Sequence, residues 1–280
     1  MPEWGIPILA GLYGLLIGSF LNVCSLRWPL DQSVVRPRSR CPGCDSLIAW
    51  YDNVPVASWI VLRGRCRGCG EAISMQYPLV ELVTGLLWAG SFVLYGPSWE
   101  ALRASVFLTV VLGISISDAR FYIIPDQFSL GGTALGLAMA FLPGGIDWIP
   151  AFVGAASGYL VLWIVGVLGT WLIEKLSPGR LEEAGVDQAM GGGDIKMMMM
   201  VGAFVGPWGV ALTVFLGSIL ALIVTMLRAL LSLALTGSDE EVFHRLIPFG
   251  VFLAGGGAVA YVWGEAMIRW YMTAILGLPG

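Results

Sequence analysis

The run IPAFVGAASGYLVLWIVGVLGTWLI, Ile149–Ile173, decides the fold class, because it holds 25 residues without a charged side chain. About 20 apolar residues suffice to carry a helix across a bilayer core. Runs of this kind recur along the chain, which is 57% hydrophobic and only 12% charged. A soluble domain carries roughly 25% charged residues. The expectation is an all-α polytopic membrane protein of about eight transmembrane helices, with the lipid bilayer as its main surroundings. The net charge of −4 decides little. No glycine-rich phosphate loop follows a strand, and no nucleic-acid partner is expected.

Outward from that run, toward the N-terminus, four more spans are expected: Ile6 to Cys24, Leu79 to Tyr95, Leu102 to Ser117, and a short, glycine-rich Phe128 to Leu142. The first follows Glu3 with no basic segment before it and reads as a retained span rather than a signal peptide. Toward the C-terminus, a polar loop over Glu174–Lys196 precedes Met197 to Gly206, which Gly206-Pro207-Trp208-Gly209 interrupts. Val210 to Leu235 and Pro248 to Met272 complete the count. Whether residues 197–235 cross once or twice is left open by the sequence. The organisation is a first span (1–26), a small polar insertion (27–78) and a transmembrane region (79–280).

Orientation follows from the cations. With eight spans, one side holds Arg27, six arginines between Arg36 and Arg67, Arg120, Lys175, Arg180, Lys196 and Arg245; the other holds Arg103 and Arg269. Positive charge collects on the cytoplasmic side. The insertion is therefore expected in the cytoplasm and both termini outside. Asp118 ends the third span and Asp194 precedes the sixth. Two crossings separate them, so both belong to the cytoplasmic face.

Carboxylates at a membrane segment are costly and point to function. Asp194 stands behind Gly191-Gly192-Gly193, where a backbone free of side chains admits close approach. Lys196 and Arg120 lie two positions beyond the aspartates and do not face them on a helix. Two carboxylates at similar depth can meet at a helix junction and share a proton. The ionised member then takes a proton from water and the protonated one polarises a carbonyl. On the residues alone, two unrelated interfacial carboxylates stay open beside this aspartic peptidase reading. Glu81 reads as a cap on its helix N-terminus. His244 is the only histidine, so no histidine-assisted nucleophile is expected. Met197–Met200 read as core or lipid-facing, Asp239-Glu240-Glu241 as a solvated cluster, and Cys24 as packing.

Four of the five cysteines form two pairs, Cys41/Cys44 and Cys66/Cys69, 21 residues apart. This is close to the four-cysteine zinc template. In a reducing compartment a metal site is favoured over disulfides. A closed four-thiolate site leaves no open position, so the Zn2+ is expected to be structural.

Gly18-Ser19-Phe20-Leu21-Asn22-Val23, the two cysteine pairs with Trp50-Tyr51-Asp52-Asn53-Val54-Pro55 between them, Tyr77-Pro78-Leu79-Val80-Glu81, Asp118 with Ile124-Pro125-Asp126, Gly191-Gly192-Gly193-Asp194-Ile195-Lys196 and Pro248-Phe249-Gly250 occur in that order. Together they resemble the bacterial type IV prepilin peptidases, over nearly the full length. The resemblance implies an intramembrane aspartic peptidase of the bacterial inner membrane with catalytic Asp118 and Asp194. Gly191, Gly192, Gly193 and Lys196 would lie near the substrate. The substrates implied are the N-terminal helices of type IV prepilins or type II secretion pseudopilins, cut after a glycine at the cytoplasmic face. Many such enzymes then methylate the new N-terminus with S-adenosyl-L-methionine, an activity associated with the cytoplasmic domain; no residue for it is identified by sequence. Glu182, Glu183 and Asp187, in the loop from Glu174 to Met190, are expected to attract a basic leader. The alternative of another class is a zinc-stabilised assembly or transport protein whose aspartates relay protons.

Overall fold

The computed structural model describes residues 4–183, 185–236 and 248–277. His244, Arg245 and the Asp239-Glu240-Glu241 cluster lie outside the described residues. The described chain is helical, with two isolated β-bridges and no strand. Six helices are long and apolar enough to cross a bilayer. The chain divides into two compact units, Met1–Gly113 and Ile114–Gly280.

In the first unit, α1 (Gly5–Arg27) and α3 (Gln76–Tyr95) pack at close range. Gly11, Gly14 and Gly18 fall on one stripe of α1, and α3 fills the space their side chains would need. A Cβ on Gly14 would lie 2.8 Å from the Trp88 Cβ, and one on Gly18 would lie 2.7 Å from the Glu81 Cα. Small residues at such interfaces give membrane helices close van der Waals contact where lipid offers no hydrophobic drive. Trp88 is held by its indole N–H, which donates to Thr109 at 3.0 Å on α4 (Trp99–Phe121).

Between α1 and α3 lies the polar insertion. Each cysteine pair closes a tight knuckle. Cys41 N donates to Ser46 O at 3.0 Å, and Cys66 N donates to Glu71 O at 2.8 Å. The short α2 (Ala57–Val61) separates them. Glu81 corrects one expectation. It sits in the second turn of α3, buried, and its Oε2 accepts the Val56 amide at 2.7 Å. It therefore ties the insertion to α3 rather than capping the helix.

The second unit contains the end of α4, α5 (Asp126–Met139), α6 (Trp148–Leu176), the short α7 (Arg180–Glu183), α8 (Gly192–Thr236) and α9 (Phe249–Ala274). Helix α8 has 45 residues but breaks at Gly206, with φ 70° and ψ −179°, before Pro207. Glycine takes this left-handed backbone without the cost of a Cβ, and the proline removes a helical hydrogen bond. The packing shows what the break does. Ile124 lies against both Gly193 and Gly250, so α8 and α9 begin at the same end. Along α9, Leu253 meets Gly217 and Gly264 meets Leu212. As α9 advances, its partners in α8 run backwards, so the part of α8 after Gly206 returns toward the end where α8 began. The two parts are two crossings. Counting the two parts of α8 separately and adding the short α5 gives eight apolar helices among the described residues, against six long and apolar enough to span by length and composition when α8 is counted once.

The first part of α8 lies against α6. Gly154 and Gly158 abut the carbonyls of Gly202 and Met198 so closely that a Cβ at either would run into backbone. Several boundaries differ from expectation: α1 runs on to Arg27, α3 begins at Gln76, α4 begins at Trp99 and α5 ends at Met139. Helix α4 continues three residues past Asp118, α6 extends to Leu176, and α8 begins at Gly192 instead of Met197.

Candidate active site

Asp118 lies one turn before the end of α4 and is 6% exposed. Its Oδ2 accepts the Val251 amide at 3.2 Å. That amide is in the first turn of α9, where it also donates to the Pro248 carbonyl at 3.3 Å, and the N-terminal end of a helix favours an anion. Gly250 has no side chain because the carboxylate fills that space: a Cβ there would lie 2.8 Å from Asp118 Oδ2 and 2.8 Å from Ile124 Cδ1. Asp194 lies in the first turn of α8, and its Oδ1 is buried without a hydrogen-bond partner. Such a bare buried oxygen costs roughly 1–3 kcal/mol or more, and it marks where a proton, a water or a substrate group belongs. Ile124 links the two sites: its side chain lies against Gly250, which Asp118 also abuts, and against Gly193, the residue before Asp194.

The chain between α4 and α5 builds the wall around them. Tyr122 adopts φ 56°, and its amide donates to the Asp118 carbonyl at 2.9 Å. This ends α4 and turns Ile124 over Gly193, where a Cβ would lie 3.1 Å from that of Ile124. Lys196 Nζ donates to both Asp126 oxygens, at 2.7 and 2.9 Å, and so joins α8 to the start of α5. The three glycines differ in use. Gly191 is filled by the Asp194 carboxylate and Gly193 by Ile124, while Gly192 faces open space. Only Gly192 of the three leaves room for a ligand backbone.

The structure thus brings together Asp118, Asp194, Gly191, Gly193 and Ile124, and places Lys196 on Asp126. Sequence reasoning missed three participants: the Val251 amide, the packing role of Gly250, and the Asp126–Lys196 pair. Pro248-Phe249-Gly250 was visible as a motif, but its contact with Asp118 spans 132 positions and has no local signal.

The four cysteines form a separate cluster in the first unit. All are free thiols, with their sulfurs within 4.8 Å of one another. Cys41 and Cys69 sulfurs are 3.6 Å apart, far from the roughly 2.05 Å of a disulfide. Thiolates about 2.3 Å from a tetrahedral ion would lie about 3.8 Å apart, so the donor set fits such a metal. The side-chain hydrogen bond between Ser46 and Cys44, at 3.0 Å, holds the Cys44 thiol down at about 6, while burial and the three neighbouring thiols push Cys69 up to about 12.

Comparison with known proteins matches residues 12–95 to the bacterial peptidase A24 N-terminal domain and residues 105–226 to the type IV leader peptidase family. The chain is 34% identical to a prepilin leader peptidase/N-methyltransferase of Aeromonas hydrophila, over 96% of this chain and 94% of that one. It is 30% identical to a protein of the same description from Bacillus subtilis, over 95% and 98%. One from Myxococcus xanthus is 41% identical over 72% of this chain and 57% of its own length. No solved structure matches.

Proposed function

The chain belongs to the type IV leader peptidase family, and from that premise we propose that Asp118 and Asp194 are its catalytic pair. It is an enzyme that removes the leader peptide of prepilins or pseudopilins and N-methylates the new terminus. The observation that carries the assignment is the meeting of two carboxylates from α4 and α8, one held by the α9 N-terminus and the other with a buried, unpartnered oxygen. Close carboxylates share one proton. The pair activates a water against the scissile carbonyl and protonates the leaving amine.

Substrate reaches this pair with its backbone beside Gly192, the open position of the motif. The bilayer is the route of entry for its apolar helix. The end of the second unit that carries the dyad faces the cytoplasm, as the distribution of cations supports. Exposed Glu182, Glu183 and Asp187 lie before α8 and attract a basic leader. Lys196 acts through Asp126, fixing α5 beside the substrate path. The metal is Zn2+, held by Cys41, Cys44, Cys66 and Cys69; a site closed by four thiolates is structural and takes no part in activating water. S-adenosyl-L-methionine supplies the methyl group.

The test is cleavage of a co-expressed prepilin, followed as a mobility shift. Asp118→Asn and Asp194→Asn should each abolish it, since members of a catalytic unit fail singly. Cleavage persisting in either variant overturns the pair.

A further inference from the structure

A groove of about 380 Å³ opens where α6 ends and α7 begins, lined by Leu172, Ile173, Leu176, Ser177, Arg180 and Leu181. Its surface is mostly apolar. Hydrogen bonds close the turns around it: Ser177 N donates to Ile173 O at 2.8 Å, Arg180 N to Ser177 O at 3.2 Å, and Val186 N to Leu181 O at 3.1 Å. The chain then returns along α6. Ala189 N donates to Thr170 Oγ1 at 3.0 Å, and Met190 fills the space beside Gly166. The glycines of the Asp194 motif follow directly. One short segment fixed to α6 thus joins the groove to the dyad.

Lipid does not account for the open apolar side chains here. A bilayer core of about 30 Å takes about twenty helical residues. Exposed Trp148, at the start of α6, suits one interface. Counted from it, the core ends near Leu168. Exposed Trp171 suits the other interface, with the Lys175 ammonium 4.9 Å from its ring centroid. The stretch Leu172–Leu181 lies beyond that level, at the end that carries the dyad. Leu176 is nevertheless 72% exposed. An apolar patch left open to water marks a contact surface.

The distance from groove to dyad follows from the packing of α6 on α8. Gly154 meets Gly202, Gly158 meets Met198 and Gly166 meets Met190, so Asp194 stands level with Leu162. From Leu162 to the groove residues Leu172 and Ser177 is about 15 to 22 Å at about 1.5 Å per residue. An extended peptide covers this in about four to seven residues. The flank of a membrane helix that stays in the cytoplasm is rich in Lys and Arg. Around the groove, residues 174–187 carry four carboxylates, Glu174, Glu182, Glu183 and Asp187, against Lys175 and Arg180. We propose that this groove seats the leader of the substrate. An apolar side chain about four to seven residues before the cut lies on Leu172, Leu176 and Leu181, and the carboxylates hold the basic residues beside it. This rests on the reading of the chain as a prepilin peptidase. It makes the end of α6 and α7 determinants of leader recognition, apart from the bilayer-borne helix that follows the cut.

The test measures cleavage kinetics of the full-length protein in detergent. The substrates are prepilins in which a single leucine is moved, residue by residue, away from the cut along an otherwise polar, basic leader. With wild type, KM should be lowest when the leucine stands about four to seven residues before the cut. Leu176→Lys replaces an exposed side chain, so folding is retained, which the thermal midpoint checks. It should raise that lowest KM about tenfold, the lower end of what burying a leucine-sized side chain is worth. The value of kcat should not change, as for contacts made equally in ground and transition states. On a leader of about three residues, too short to reach the groove, the two enzymes should be equal. A wild-type KM indifferent to the position of the leucine, or a KM that Leu176→Lys leaves unchanged, overturns the groove while the cleavage itself upholds the peptidase reading. An equal loss on the short leader assigns the groove to lipid and overturns its role as well. A wild-type enzyme that cuts none of these prepilins overturns the peptidase reading and the groove with it.

Discussion

Replacing Gly250 by alanine adds one methyl group beside Asp118. An ordinary contact begins near 3.4 Å, and the new Cβ would stand 2.8 Å from Asp118 Oδ2, so about 0.6 Å must be found. Ile124 Cδ1, also 2.8 Å away, is the end of a flexible side chain and yields cheaply. The carboxylate is fixed by the Val251 amide on the same helix and moves only by stretching that bond. A misplacement approaching 1 Å at a reacting group costs on the order of a hundredfold in rate. Loss of one hydrogen bond to a charge costs about 1.5–3 kcal/mol, roughly ten- to a hundredfold by the same measure. Gly250→Ala should therefore lower kcat for prepilin cleavage by about ten- to a hundredfold, with little change in KM. Gly131→Ala, on α5 with no atom within 4 Å of its Cβ, serves as the control. It should keep full activity and gain about 0.5–1 kcal/mol from helix propensity. A Gly250→Ala enzyme within about twofold of wild type would refute the account of how Asp118 is held.

Other outcomes follow from the same structure. Lys196 and Asp126 are 39% and 54% exposed as side chains, so a double-mutant cycle of Lys196→Met and Asp126→Asn should give only about 0.2–1 kcal/mol of coupling. Metal analysis should find about one zinc per chain, lost in Cys41→Ser together with Cys66→Ser, because the closed site needs all four thiolates. Hydrogen bonds from Arg67 hold the Asp52 carboxyl below its ordinary value. Its stabilising effect is therefore full above the unfolded value near 4 and is lost as pH falls through the lowered one. The thermal midpoint of wild type relative to Asp52→Asn should accordingly be constant near neutrality and converge in acid.

The membrane class was legible because bilayer thickness imposes a length on every crossing, and the run Ile149–Ile173 satisfies it without help from neighbours. Gly206-Pro207 was legible as an interruption. That it reverses the chain emerged only from the register of α9 against Leu212 and Gly217, which is long-range packing. The glycines of the Asp194 motif were legible as small, but their separate uses were not. Gly193 is small for Ile124 and Gly191 for the aspartate itself, contacts fixed by the turn at Tyr122. Glu81 misled because a carboxylate near a helix start suits the helix dipole. Its partner is a strained amide 25 residues earlier, which no pattern on α3 reveals. The cysteine knuckles were the most local feature and were read most completely.

The central claim is that Asp118 and Asp194 together cut a prepilin whose new terminus the same chain then methylates. Mass spectrometry of the N-terminus of a co-expressed prepilin tests it most directly. The account predicts a chain lacking its leader and heavier by one methyl group with the wild-type enzyme, and an intact prepilin with either Asp118→Asn or Asp194→Asn. A processed N-terminus in either variant would contradict it.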